Sequence, residues 1–259
     1  MSANTMNTMH EANRKGWDAA SQNWQAMIED RVDWRKCPED PTIALSQEEL
    51  DHLGDVSGRD VCVLGSGDNL VVFALAGMGA RVTSVDISQN QLDTGAERAV
   101  ELGLDISFVR ADVVDLGSLA NESFDLVYTG GHVACWVSDL KLYYSEACRV
   151  IRKGGAFMVS EYHPFRRLWQ ESPDELKIES TYFERGPHQY DRSEDVPGTP
   201  AGSLPSYEFH WTVSDYVTAL MDAGCELEAI DEFGDKVERW EYSPMTGLPY
   251  YLLLVGRKR

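Results

Sequence analysis

The chain has 259 residues, 43% of them hydrophobic and 10% aromatic, enough to bury one large core without disulfide or metal staples. Its formal charge of −20 opposes a polyphosphate partner, so nucleic acid is not expected as a substrate. The five cysteines (Cys37, Cys62, Cys135, Cys148 and Cys225) form no CxxC pair, and no HxxxH appears, so neither a metal site nor a disulfide framework is expected.

Residues 1–35 lack the apolar core of a signal peptide. Instead they space Trp17, Ala20, Trp24 and Met27 by three and four, as one helix face does. Pro38 and Pro41 break that pattern, and SQEEL at 46–50 opens a second helix with a capping-box sequence. From Val61 onward the chain alternates short apolar runs with longer amphipathic ones. Strands are predicted at 61–64, 81–86, 106–112, 124–130 and 155–162, with helices near 69–79, 88–102 and 138–151 between them. Residues 164–208 hold six of the ten prolines and much charge, which predicts a cap or binding loop outside the sheet. A helix at 212–224 and strands at 225–233 and 250–258 follow. No run reaches the length of a membrane span, so a cytoplasmic protein without a membrane partner is expected.

This alternation predicts an α/β fold with a doubly wound, mostly parallel seven-stranded sheet, its last strand antiparallel. The expected organisation is a single domain over 1–259. It comprises a helical lid at 1–55, a cofactor-binding core at 56–163, the cap at 164–208 and C-terminal core elements at 209–259. In VCVLGSGDN, Gly65 and Gly67 sit at the first strand-to-helix turn, where backbone amides can approach a ligand closely. Leu70 stands where a dinucleotide fingerprint has its third glycine. Asp86 closes the second strand, placed to accept hydrogen bonds from both hydroxyls of a ribose; the alternative is a cap on the next helix.

VTSVDIS, FVRADVVDL, FDLVYTGGHVACWVSDL, EACRVIRKGGAFMVSEYHP and TVSDYVTALMDAGCELEAIDE follow that turn in order. With VCVLGSGDN they resemble the motifs of the class I S-adenosylmethionine-dependent methyltransferases over residues 10–162 and 207–258, with KGG in place of the usual PGG. The resemblance implies a Rossmann-like fold, S-adenosylmethionine as cofactor, S-adenosylhomocysteine as product and a small-molecule methyl acceptor. It implies a cofactor site built from Gly65, Ser66, Gly67, Asp86, Ile87, Ala111, Asp112, Val113 and Gly130, with Asp86 on the ribose and Asp112 on the adenine amino group. The N-terminal helix, here carrying Trp17 and Trp24, closes over the cofactor in that family. Two positions depart from the pattern. Val63 stands where the family has an acid that helps hold the methionine ammonium, and Asn69 replaces the third glycine of its GxGxG. A carbonyl of Gly65 or Gly130, or the nearby Asp68, is available for the ammonium instead. Asn69 is among the few residues that tolerate a left-handed backbone.

Methyl transfer needs an aligned nucleophile and, where that nucleophile carries a proton, a base. In a parallel sheet such groups come from the carboxyl ends of the strands. His132 and His163, after the fourth and fifth strands, are the candidate bases, with Glu161 beside them. Trp17, Trp136, Tyr162, Trp169 and His210 are candidate acceptor-binding groups, and Arg166 is placed to hold an anionic acceptor instead. Two other classes fit parts of the pattern. A nicotinamide-dependent (NAD) oxidoreductase is opposed by the edited glycines and Asp112; a non-catalytic S-adenosylmethionine-binding protein draws weight from Val63.

Overall fold

Seven strands pair into one sheet: β1 (Asp60–Leu64), β2 (Arg81–Asp86), β3 (Ile106–Arg110), β4 (Phe124–Gly130), β5 (Ile151–Tyr162), β6 (Cys225–Phe233) and β7 (Tyr251–Lys258). Their spatial order is β6-β7-β5-β4-β1-β2-β3, parallel except for β7, which runs antiparallel to both its neighbours. This is the expected α/β sheet with its antiparallel last strand. The computed structural model describes residues 3–170, 172, 174–194, 196–199, 205–240, 243–244 and 246–259. Helices α1 (Ala3–Arg31), α2 (Gln47–Leu53), α3 (Leu70–Gly77), α4 (Gln89–Leu102), α5 (Leu140–Val150) and α6 (Val213–Asp222) complete the chain. No described helix is long and apolar enough to cross a membrane.

The central strands are apolar on both faces because helices cover both. Cys62, Leu64, Val127, Phe157 and Val159 pack against Tyr143, Tyr144, Ala147, Ala219 and Leu220 of α5 and α6. Val61, Val63, Leu126, Tyr128 and Met158 face the other way, toward Leu53, Val72, Phe73 and Ala99 of α2, α3 and α4. Three helix starts carry their own signal: Ser46 closes a capping box with Glu49 at α2, Ser88 accepts from Gln91 N–H at α4, and Thr212 closes a second box with Asp215 at α6.

Two strand boundaries differ from the sequence expectation by two residues or more. β5 begins at Ile151 rather than 155, because Ile151 pairs with Phe124 and the ladder then shifts register before Leu126 meets Ala156. The KGG segment therefore lies inside the strand. β3 stops at Arg110 because Ala111 N–H donates to the Asp86 carbonyl and Asp112 turns back to bridge Asp115. The cap contains two short antiparallel ladders, Trp169–Gln170 with Lys177–Ile178 and His188–Asp191 with Pro205–Glu208. Residues 171, 173, 195 and 200–204 of the expected cap lie outside the described residues.

Helix α1 has 29 residues, a length of roughly 44 Å at the α-helical rise. That reach lets it contact the cap strand Pro205–Glu208 and also α4.

Candidate active site

The strand order reverses between β1 and β4, and a cavity of about 470 Å³ opens at this end of the sheet. Gly65 forms its floor with φ +64°, and a Cβ there would stand 2.4 Å from Val133 Cγ2. Only glycine fits under the loop that follows β4. Asn69 also lies in the left-handed region (φ 64°, ψ 8°). Its Nδ2 donates to the Gly67 carbonyl at 3.0 Å, and its Oδ1 accepts from Ser84 Oγ at 3.3 Å. The amide is housed against Gly95 of α4, where a Cβ would come within 2.8 Å of it.

Asp86 is buried at the end of β2. Its Oδ2 accepts from Gly67 N–H at 2.9 Å and its Oδ1 from Ser88 N–H at 2.8 Å. Burial raises its carboxyl above the usual value, and these backbone bonds oppose that rise. Ile87, Asp112 and Val113 share this end of the cavity wall with it.

Helix α1 lines this cavity with His10, Asn13, Trp17 and Trp24. His10 Nδ1 lies 2.6 Å from Asp112 Oδ2, while its Nε2 accepts from Ser138 N–H at 3.0 Å. A backbone N–H can only donate, so the imidazole is neutral, with its proton on Nδ1 directed at Asp112. Asp18 accepts from Ser88 Oγ, and Gln25 Nε2 donates to the Gly67 carbonyl. Asn13 bonds both the N–H and the carbonyl of Tyr207 in the cap. The Arg192 guanidinium is wedged between Trp17 and Trp136, 4.3 and 4.2 Å from their ring centroids.

At the opposite end stand Gly130, His132, Glu161 and Tyr162. His132 takes a positive φ of 85°, unusual for a side chain of its size, and its ring meets the Tyr162 ring edge-on at 4.7 Å. Burial and the neighbouring Arg167 hold its imidazole well below the ordinary histidine range. Arg167 Nη2 donates to His132 Nε2, so the remaining proton sits on Nδ1. That geometry makes His132 a donor and does not fit a base acting through Nε2. Glu161 is buried, its Oε1 accepts from Ala134 N–H at 3.0 Å, and burial pushes its carboxyl up to about 7. His132, Cys135 and Glu208 bring ligand-type atoms within 4.8 Å of one another. Arg167 already donates to both His132 and Glu208, so a fixed cation takes the lone pairs a metal would need.

Of the residues expected at the site, Gly65, Ser66, Gly67, Asp86, Ile87, Asp112, Val113, Gly130, Trp17, Trp24, His132, Trp136, Glu161 and Tyr162 line this cavity. Five do not. Ala111 is one residue too early and spends its N–H on β2. His163 is buried, donates from Nε2 to Glu232 at 2.6 Å and accepts Phe165 N–H on Nδ1, which makes it the cap of the 164–168 turn. His210 stacks on His188 with centroids 4.0 Å apart. Arg166 reaches the Tyr162 ring from outside at 5.8 Å, and Trp169 belongs to a cap ladder. The sequence reading missed His10, Asn13, Glu49, Tyr128, Ser160, Phe233 and Tyr251 on the wall. Of these only Glu49 carried a sequence signal, and that signal was for a helix cap.

Comparison with known proteins agrees with this geometry. A methyltransferase-domain family model matches residues 62–159. The uncharacterized methyltransferase YbaJ of Bacillus subtilis is 26% identical over 236 residues, 85% of this chain and 88% of that protein. The ubiquinone/menaquinone biosynthesis C-methyltransferase UbiE of Rhizobium meliloti is 36% identical over 103 residues, covering 38% of each chain. Among solved structures, an S-adenosylmethionine-dependent methyltransferase from Mesorhizobium loti superposes with a TM-score of 0.62 at 24% identity, over 80% of this chain and 94% of that one.

Proposed function

We propose that the chain is a class I S-adenosylmethionine-dependent methyltransferase and that it methylates a small molecule whose proton is taken by Glu161. The reading is carried by one observation: a single cavity under one lid runs from Asp86 and Asp112 to Glu161 and His132.

The residues present fit the cofactor. A buried carboxylate at Asp86 suits ribose hydroxyls, and Gly65, Ser66 and Gly67 bring the backbone of the turn to the cavity wall beside it. When bound, the cofactor supplies an electrophilic methyl group on its sulfonium. The chain's own groups align the acceptor, exclude water and hold the proton that leaves. Helix α1 shuts the site through His10, Asp18 and Gln25. Glu161, with Oε1 tied to Ala134 N–H, takes the acceptor's proton on Oε2; a carboxyl near 7 is matched to that task. His132 orients the acceptor as a donor from Nδ1, and the ring of Tyr162 sets one wall beside it.

No Lys or Arg stands among the described residues of the wall, whereas Glu49, Asp68, Asp86, Asp112 and Glu161 do. That balance favours an uncharged or cationic acceptor over a carboxylate or a phosphate. Relatives named for O- and C-methylation in ubiquinone biosynthesis support a small molecule.

The test is transfer of a labelled methyl group from S-adenosylmethionine to a panel of small phenols, amines and thiols, with protein and RNA as competitors. Labelled small-molecule product is expected. Product on protein or RNA alone would sink the acceptor reading, and binding of NAD without S-adenosylhomocysteine would sink the cofactor reading.

A further inference from the structure

Glu49 is a buried carboxylate that faces the cavity from α2, 5% exposed. Its Oε2 accepts from Ser46 N–H and from Ser46 Oγ, each at 2.8 Å. Its Oε1 accepts from Tyr128 Oη at 2.6 Å. All three donors are neutral, and among the described residues no Lys or Arg shares this wall. Taking a carboxylate out of water is costly unless hydrogen bonds and a cation both meet it. Here the hydrogen bonds are in place and the cation is the missing partner.

Tyr128 fixes where that cation goes. It pairs with Val63 across β4 and β1, and its hydroxyl lies over Gly130, where a Cβ would be 2.4 Å from Oη. The Glu49 carboxylate is therefore one hydrogen bond from the carboxyl end of β4, beside Val63. Asp86 and Asp112 stand beyond β1 in the other direction, at and just after the ends of β2 and β3. A cofactor with its ribose on Asp86 and its adenine on Asp112 directs its amino-acid end toward β1 and β4. That end carries an α-ammonium, and β1 offers it only the apolar Val63.

We propose that Glu49, oriented by Tyr128 and Ser46, is the counter-charge for the α-ammonium of S-adenosylmethionine. The assignment rests on the cofactor reading above. Two other acids near this end are less suited. Asp68 is tied to Leu70 N–H and already feels Arg98; Glu161 is tied to Ala134 N–H and already feels Arg167. Burial also brings their carboxyls up to about 6 and about 7, so each is partly protonated near neutral pH.

Calorimetric titration with S-adenosylhomocysteine and with its deaminated analogue, which lacks only the α-amino group, separates the possibilities. Glu49→Gln is expected to weaken S-adenosylhomocysteine by about tenfold or more while moving the analogue by less than about twofold. Equal losses for the two ligands, or no loss for either, overturn the assignment. Should Glu49→Gln unfold, Tyr128→Phe is read the same way, because it keeps the carboxylate and removes one orienting donor. A loss confined to S-adenosylhomocysteine, about threefold in size, supports the assignment, and matching effects on both ligands overturn it. If the wild-type protein binds neither ligand, the cofactor reading fails first and this assignment falls with it.

Discussion

His10 on the lid helix and Asp112 beyond β3 share a 2.6 Å hydrogen bond across 102 residues of sequence. The acid expected to recognise adenine is thus also the acid that latches the lid. Because Ser138 N–H fixes the imidazole tautomer from the other side, the latch has one direction and one donor. On the proposed reading, cofactor recognition and closure share one network.

His10→Ala should therefore act on binding although His10 is not expected to contact the reacting atoms. S-adenosylhomocysteine affinity should fall about tenfold, the worth of a hydrogen bond to a charged group. Titration calorimetry checks this, and an unchanged affinity would separate the lid from the cofactor.

Glu161→Gln should lower kcat/KM by about 10²–10⁴-fold, the usual loss when a positioned base is removed. The wild-type enzyme should gain activity as pH rises through about 7, where Glu161 gives up its proton. The variant should lose that limb. Its survival would move the base elsewhere.

The same carboxyl should shape stability. Burial favours the protonated form and raises its folded pKa from the ordinary carboxylate range to about 7. Its contribution is therefore full below the ordinary carboxylate range and is lost as pH rises through about 7, by roughly 2–4 kcal/mol. Urea unfolding of wild type and Glu161→Gln at several pH values checks the sign: the variant should show a flatter decline over this window.

Gly65→Ala should cost stability twice over, since its φ of +64° disfavours a side chain and its Cβ would lie 2.4 Å from Val133. Each effect is worth about 1–3 kcal/mol. Adding Val133→Ala should restore the steric part in thermal unfolding and leave the backbone part. Full recovery in the double variant would show that the backbone conformation carries no cost.

What the sequence made legible was local. Alternation of apolar runs located the strands of the sheet, and the distance from Gly65 to Asp86 located the turn and the acid at its flank, because neighbours along the chain remain neighbours there. The roles of His10 and Glu49 depend on partners far away in sequence, Asp112 and Tyr128, so no spacing could announce them. Glu49 was also disguised: one of its oxygens makes the capping box that SQEEL signals, and only the fold brings the other to the Tyr128 hydroxyl. His163 misled in the opposite sense. It sits at a strand end, as an active-site group would, yet its two nitrogens are spent on Glu232 and on Phe165 N–H.

Asn69 and Gly95 carry a consequence for anyone exchanging residues in this turn. A side chain can stand at 69 only because none stands at 95, where a Cβ would meet the Asn69 amide at 2.8 Å. Asn69→Gly would match the GxGxG pattern in letters only; it would hollow out the junction between turn and α4 and strip the Gly67 carbonyl and the Ser84 hydroxyl of a partner. The bare position this junction needs lies on the helix at Gly95 rather than in the loop at 69, and the two positions can be altered only as a unit.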